Sequence, residues 1–160
     1  GSGLLDLAAC LLDLGYIDES GCLSDDDGED TFYLTDEVYI NQKDIRQLQL
    51  AKAAVAAGIK LLMQAEDLSF DDIQSLYLAG GFGNRLRPES AVRIGMLPAE
   101  MGAKIKTAGN TSLAGASLAL LDPASRRKLN EIKEKCRYIE LSSSLDFNDC
   151  FVDEMSFPED

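Results

Sequence analysis

Paired glycines follow an apolar segment in residues 76–83, which read Leu-Tyr-Leu-Ala-Gly-Gly-Phe-Gly. Glycine accepts positive φ angles and leaves bare backbone, so a flat group such as adenine or ribose can lie against it. The phenylalanine ring could close one side of such a site. The candidate nucleotide contacts are Gly80, Gly81, Phe82 and Gly83. The bare pattern also fits an ordinary strand-to-helix turn, and both interpretations stay open at this point.

The same turn does not match the glycine fingerprint of dinucleotide-binding proteins. Leu86 stands where that fingerprint has its third glycine, and the acid about twenty positions farther on, Glu100, follows Pro98 instead of ending an apolar strand. The phosphate-loop consensus is also missing. A dehydrogenase that binds a dinucleotide at this turn is therefore a disfavoured alternative.

Three other polar residues are candidates for ligand contacts. Asn110 follows a second glycine between a predicted strand and a predicted helix, where it either caps the helix or adds to a ligand site. Lys52 interrupts an apolar stripe, so its ammonium group must extend to water, pair with a carboxylate or face an anion such as phosphate. Gln49 lies one turn earlier and faces a similar direction.

Helices alternating with strands would position these residues. We expect a buried helix over 4–14 that ends at Gly15 and a hairpin over 31–40. A long helix should follow Asn41, which forms a capping box with Asp44. Its apolar stripe is predicted to contain Ile45, Leu48, Val55, Ile59 and Leu62.

The second half of the chain is predicted to contain further strands and helices. Strands are expected at 75–79, 104–108 and 138–141, and helices at 88–95, 111–121 and 123–137, before an amphipathic segment at 145–157. The small residues 114–116 should let the 111–121 helix pack against Ala51, Ala54 and Gly58 of the long helix. Strands that alternate with helices predict an α/β fold, with ligands bound beyond the carboxyl ends of strands.

Composition narrows the function classes. The 160 residues are 46% hydrophobic, which suits one domain spanning residues 1–160. Their net charge of -13 disfavours nucleic acid as a partner, because binding it requires clustered bases. Histidine is absent, which excludes histidine triads and histidine metal sites. Since no apolar run is long enough to cross a bilayer, we expect a soluble, cytoplasmic protein without a membrane partner.

Neither the cysteines nor the acidic residues form a recognisable metal motif. Cys10, Cys22, Cys136 and Cys150 are too widely spaced for a zinc or iron-sulfur loop and are expected to be buried, reduced thiols. The acidic residues 25–30 lack the spacing of a calcium loop and are interpreted as a solvated loop, with calcium as the minor alternative. We expect no metal site.

Four segments occur in an order that carries a family resemblance: 41–52, 78–84, 88–95 and 109–115. Together they resemble the C-terminal domain of the corrinoid reductive activators, and the similarity extends over nearly the whole chain. The resemblance implies an α/β fold with a mixed sheet flanked by helices, the second half of an actin-like, ribonuclease H-like ATPase domain. It also implies ATP with magnesium as ligands.

The family's activity couples ATP hydrolysis to the reduction of an inactive cobalt(II) corrinoid protein to cobalt(I) for methyl transfer. The resemblance thus implies a corrinoid protein of a methyltransferase system as partner. Whether the chain also forms a homodimer is left open by the sequence. It assigns Gly80, Gly81 and Phe82 to the adenosine motif. Asp44, Gln49 and Lys52 match the family's nucleotide-side helix.

The sequence also departs from the family pattern. No Asp-x-Gly-Thr hairpin for phosphate and magnesium occurs, and no cysteine cluster exists for the 2Fe-2S centre of the family's N-terminal ferredoxin domain. We therefore expect a C-terminal fragment, a partial domain without the phosphate-binding first half, which alone neither hydrolyses ATP nor reduces a corrinoid appreciably. The alternative is a catalytically incompetent docking or dimerisation module of the same fold.

Overall fold

The computed structural model describes residues 2–24, 30–141 and 145–159 of the chain. The first helix, α1 (Ser2–Asp13), buries five apolar side chains. The backbone turns away just after it, where Gly15 takes a φ of 78°. The predicted buried helix with a glycine past its end is confirmed.

A short hairpin leads into the longest helix. Strands β1 (Thr31–Tyr33) and β2 (Tyr39–Asn41) pair antiparallel. Helix α2 (Gln42–Ala65) begins with the predicted capping box: the Asn41 side chain accepts from the Asp44 N–H at 3.1 Å, and the Asp44 carboxylate accepts from the Asn41 N–H at 3.1 Å. Hairpin and capping box are confirmed, although both strands are shorter than expected.

The buried face of α2 differs from the predicted stripe. Ile45 and Leu48 are buried as expected, but Val55 and Leu62 are 41% and 48% exposed. The buried face continues through Lys52 and a set of small residues, Ala53, Ala56, Ala57 and Gly58. The prediction is wrong at Val55 and Leu62, whereas Ile59 is partly buried against the hydrophobic core as expected.

Two strands of the second half pair in parallel. In the sheet formed by β3 (Leu76–Ala79) and β4 (Ile105–Gly109), Leu76 lies opposite Ile105 and Ala79 lies opposite Gly109. The chain between them forms the short α3 (Gly80–Gly83), α4 (Pro88–Arg93) and a 3-10 helix (Ala99–Lys104). Helices α5 (Thr111–Leu121), α6 (Pro123–Lys135) and α7 (Leu145–Asp153) follow.

The hydrophobic core lies where α1, β2, the first turns of α2 and α4 meet. Its most buried members include Leu11, Ile40, Ile45 and Ile94, none more than 2% exposed. Phe157, close to the C-terminus, belongs to the same cluster. A residue beyond α7 is therefore part of the core.

Two predictions about the second half are wrong. Residues 138–141 are not a strand, and among the described residues they belong to neither sheet. Helix α5 packs against α6 instead of α2, and α2 packs against α7. Ala51 and Ala54 are exposed, and the Cβ position of Gly58 faces Leu141 at 3.7 Å.

The predicted α/β fold with both strand orientations and flanking helices is confirmed, with the described strands divided between two two-stranded sheets. Among the described residues, no helix is long and apolar enough to cross a bilayer. The four thiols are free, but Cys10, Cys22 and Cys136 are exposed, so the expectation of buried thiols is wrong for these three. The predicted solvated loop at 25–30 lies outside the described residues except for Asp30.

Candidate functional site

Both glycine-containing turns lie at one edge of the parallel sheet. Because Ala79 pairs with Gly109, the carboxyl end of β3 lies beside the carboxyl end of β4. The residues that follow each strand, Gly80 and Asn110, therefore emerge at the same edge. This edge is where open α/β sheets bind ligands. We call the surface formed by residues 80–83 and 109–110 the glycine edge.

The glycines of this edge have different structural roles. Gly80 has a φ of 86°, which explains why glycine occupies the position. Gly83 is buried, and a Cβ there would lie 3.4 Å from the carbonyl carbon of Leu78. Gly81 has neither constraint: its φ is not positive, and a Cβ there would meet nothing within 4 Å. The fold thus accounts for glycine at Gly80, whereas a Cβ would make ordinary van der Waals contact at Gly83 and meet nothing at Gly81.

Open space adjoins the turn. A Cβ on Gly80 would likewise meet nothing within 4 Å, and the Phe82 side chain is 51% exposed. An exposed aromatic ring next to bare backbone is an arrangement that a flat, partly apolar ligand can use. The adenosine contact predicted at the glycine edge stays a prediction.

Asn110 caps α5. Its side-chain oxygen accepts a hydrogen bond from the Leu113 N–H at 3.0 Å, and its side chain is exposed. The capping interpretation is confirmed. A ligand contact by the same residue stays a prediction, and the amide nitrogen of the side chain is the group that would make it.

The candidate residues on α2 contact a different part of the chain. Asp44 is engaged in the capping box described above. Gln49 is 2% exposed; its amide nitrogen donates to the carbonyl oxygens of Ser20 at 3.0 Å and Met155 at 2.9 Å, and its oxygen accepts from Arg46 at 2.6 Å. Among the described residues, none of these hydrogen bonds reaches the glycine edge.

Lys52 is buried and tied to the C-terminal segment. It is 1% exposed, its Nζ donates to the carbonyl oxygen of Ser156, and it lies 5.5 Å from the centre of the Phe157 ring. The interpretation that it extends to water is therefore wrong. Burial lowers the pKa of Lys52 from 10.5 to about 8, and the nearby carboxylate of Glu154 opposes that shift.

The lowered pKa of Lys52 predicts a pH-dependent stability. Between pH 8 and 10 the unfolded chain, in which this pKa is near 10.5, binds more protons than the folded chain. Raising the pH through this window should therefore raise the free energy of unfolding, by about 2 kcal/mol from this one group. Urea denaturation at pH 8 and pH 10 measures the rise.

The comparison protein for this measurement is Lys52→Met, since groups that titrate in both proteins cancel in the difference. The wild type should gain about 2 kcal/mol relative to the variant over the window. Lys43→Met, at an exposed position of the same helix, should keep the wild-type rise. A wild-type curve parallel to that of Lys52→Met would contradict the lowered pKa.

Sequence reasoning included most of the segment 154–158 in the amphipathic segment at 145–157 but missed its contacts with distant residues. Its backbone accepts from Gln49 and Lys52 on α2 and from Arg93 on α4 at 3.2 Å, and the Phe157 N–H donates to Glu19 at 2.8 Å. These contacts join residues that are 65 to 138 positions apart in the sequence, and no local sequence pattern predicts them. The one usable signal was the pair of polar residues on an otherwise apolar helix face, which required buried partners.

The comparisons with known proteins agree in family. The family model described as the C-terminal domain of RACo, the ASKHA domain, matches residues 1–160. "Corrinoid activation enzyme RamQ" of Eubacterium limosum is 34% identical over 116 residues, which cover 72% of this chain and 20% of that protein. A Co(II) methylated amine-specific corrinoid protein reductase of Methanosarcina barkeri is 28% identical over 122 residues, 75% of this chain and 22% of that one.

A solved structure gives the same result. The chain is similar to a "reductive activator for corrinoid, iron-sulfur protein" with a TM-score of 0.87 and 36% sequence identity, over 99% of this chain and 28% of that one. The chain spans about a fifth of the length of the two curated relatives and 28% of the solved activator.

Proposed function

Since the chain belongs to the corrinoid reductive activator family and matches its C-terminal ASKHA domain, we propose that its glycine edge binds the adenosine part of ATP. The activity to which this binding contributes is the reduction of a cobalt(II) corrinoid protein to the cobalt(I) state. In this proposal residues 1–160 supply part of an ATPase site in a cytoplasmic activator.

One observation carries the proposal: Gly81 is a glycine that the fold does not require. Neither its φ nor any neighbouring atom excludes a side chain. A residue without a side chain, at the carboxyl edge of a parallel sheet and beside an exposed ring, suits a ligand that approaches the backbone closely. ASKHA domains are ATP-binding domains, which makes adenosine the ligand that fits best.

The described residues fit the nucleoside better than the phosphates. ATP with magnesium supplies the hydrolysis energy, while this chain offers bare backbone at Gly80 and Gly81 and the ring of Phe82. Asp44, Gln49 and Lys52 stay predicted nucleotide-side residues. For Gln49 and Lys52 that role requires release from the segment 154–158, because their polar groups are satisfied there.

The iron-sulfur chemistry of the family does not fit this part of the chain. The described residues contain no group of three or more His, Cys, Asp or Glu side chains that could hold a metal, and the four cysteines are free. We therefore assign no electron-transfer step to these residues and place the 2Fe-2S cluster in an N-terminal domain outside this sequence. The corrinoid protein is the proposed partner, and a homodimer stays a prediction.

The test of the adenosine site is Gly81→Arg. A large side chain at this position would occupy the space proposed for adenosine, so we expect ATP affinity to fall by at least about 100-fold, a loss of about 2.7 kcal/mol. Isothermal titration with magnesium-ATP measures it. The thermal midpoint should change little, because the position is open and has an ordinary backbone conformation.

Gly102→Arg is the matched control. Gly102 is exposed in the 3-10 helix, meets nothing within 4 Å at its Cβ position and has no positive φ, so the added size and charge are the same at a distant place in the sequence. It should bind ATP as the wild type does. If the wild type binds no ATP, the adenosine proposal fails and the docking or dimerisation alternative is favoured.

A further inference from the structure

Helices α5 and α6 form a pair that carries an exposed apolar surface. All residues of α5 are described and none is buried. Leu113, Leu118, Leu120 and Leu121 are between 57% and 81% exposed, and Ile132 of α6 is 52% exposed. Leu118 and Ile132 line a groove between the two helices, whereas Leu113 and Leu120 lie on the opposite side of α5.

The two helices enclose a groove of about 180 Å³. Its lining residues are Gly115, Leu118, Ser125, Lys128, Leu129 and Ile132. The four residues from α6 are spaced as i, i+3, i+4 and i+7, so they form one face of that helix. On the α5 side Gly115 provides no side chain, and a Cβ there would meet nothing within 4 Å. The groove thus has an apolar floor and room for a side chain to enter.

The helix beside the groove is basic in an acidic chain. Residues 123–137 contain six Lys and Arg but only two acids, whereas the whole chain has 15 bases and 28 acids. Lys128 and Lys135, seven residues apart, follow one side of the apolar face, and Lys133 follows the other. The two acids, Glu131 and Glu134, are on the half of α6 that points away from the groove.

The lysines beside the groove are available to a partner. Among the described residues, no ion pair engages Lys128, Lys133 or Lys135. Arg126 and Arg137 are used differently: Arg126 donates to backbone carbonyls at the end of α5, and Arg137 pairs with Glu66. We call the groove together with its three flanking lysines the cationic groove.

We propose that the cationic groove binds an amphipathic helix with acidic flanks, presented by a partner protein. Leucine side chains of such a helix would enter the apolar floor, and its carboxylates would meet the three lysines. The rest of this chain carries an excess of negative charge, which repels an acidic partner elsewhere and directs it to this place. The concave, apolar floor favours a helix over a nucleic acid, whose contacts are mainly to phosphates.

The experiment uses a fluorescein-labelled peptide of about 18 residues, five helical turns, with leucines at i, i+3, i+4 and i+7 and glutamates flanking them. Fluorescence anisotropy measures its binding to the full chain. We expect Lys128→Glu combined with Lys135→Glu to weaken binding by at least about tenfold, and Leu118→Ser to weaken it similarly. Raising the salt concentration should weaken binding to the wild type.

Arg127→Glu with Glu131→Lys is a control that exchanges a positive and a negative charge on the outward half of α6 without changing the net charge, and it should bind the peptide as the wild type does. Far-UV circular dichroism checks that every variant stays folded. A control as weak as the lysine variant, a scrambled peptide bound equally well, or no binding would overturn the proposal. So would a preference of the wild type for phosphatidylserine vesicles over the peptide, which would assign the surface to a membrane, or self-association through α6 seen by sedimentation.

Discussion

Replacing Gly21 with alanine is expected to lower the free energy of unfolding by about 3 kcal/mol or more. Two costs add at this position. Gly21 has a φ of 79°, a conformation that costs a residue with a side chain about 1–2 kcal/mol. In addition, the new Cβ would lie 2.4–2.5 Å from three atoms of the Gln49 side chain, which is far inside van der Waals contact. Overpacking of this kind costs about 1–3 kcal/mol.

The Gln49 side chain cannot move away from the new Cβ without a large loss of free energy, although it is flexible in principle. Its amide group makes hydrogen bonds with Ser20, Arg46 and Met155, and it is almost fully buried. Moving it away from a new Cβ would break bonds to both the 18–24 loop and the C-terminal segment. Each buried polar group left without a partner costs about 1–3 kcal/mol.

Gly15→Ala separates the two costs. Gly15 has a φ of 78°, nearly that of Gly21, but a Cβ there would meet nothing within 4 Å. Only the backbone cost applies, so this variant should lose about 1–2 kcal/mol. Urea denaturation of the two variants measures the difference. Equal losses would show that the contact between Gly21 and Gln49 carries no energy.

Local signals in the sequence predicted most element boundaries. Each of these signals lies within a few residues of the helix end that it marks. The capping residues Asn41 and Asn110 precede α2 and α5, and Pro88 is the first residue of α4. Such signals depend on backbone groups that the local chain must satisfy in any fold. For that reason they could be interpreted without knowledge of the tertiary structure.

Packing was less predictable, because it depends on residues far apart in the sequence. The buried face of α2 includes Lys52, whose partner Ser156 is 104 positions away. From the sequence, a lysine on an apolar helix face is a break in the pattern. In the structure it is a buried donor that holds the end of the chain in place. Similarly, the small residues 114–116 of α5 were expected to pack against α2, yet the helix packs against α6 and none of its residues is buried.

In the candidate site, too, local features were predictable from the sequence and long-range contacts were not. The glycine edge was predictable because the carboxyl ends of parallel strands come together by topology, and each end was marked by glycine. The grouping of Gln49 and Lys52 was also predictable, since they are one turn apart. Their attachment to residues 155–157 instead of the glycine edge was not, because nothing in the local sequence distinguishes a partner carbonyl from a phosphate.

Phe157→Ala is expected to lower the free energy of unfolding by about 3–5 kcal/mol, although the residue is the fourth from the end of the chain. Phe157 is 3% exposed and belongs to the hydrophobic core. Its removal would leave a cavity of aromatic size and take the ring away from Lys52. Its N–H also fixes the segment to Glu19 at 2.8 Å, so the surroundings have little freedom to collapse into the space.

Two comparisons make this result specific. Val152→Ala, at a 64% exposed position of α7, should change the free energy of unfolding by no more than about 0.5 kcal/mol. Phe157→Leu should lose less free energy of unfolding than Phe157→Ala, since it keeps much of the buried volume.

Because Lys52 contacts both the ring and the carbonyl oxygen of Ser156, the losses of free energy from Lys52→Met and Phe157→Ala should not be additive. Additive losses, or a loss from Phe157→Ala below about 1 kcal/mol, would show that the C-terminal segment is only loosely attached and that the buried environment of Lys52 does not depend on it.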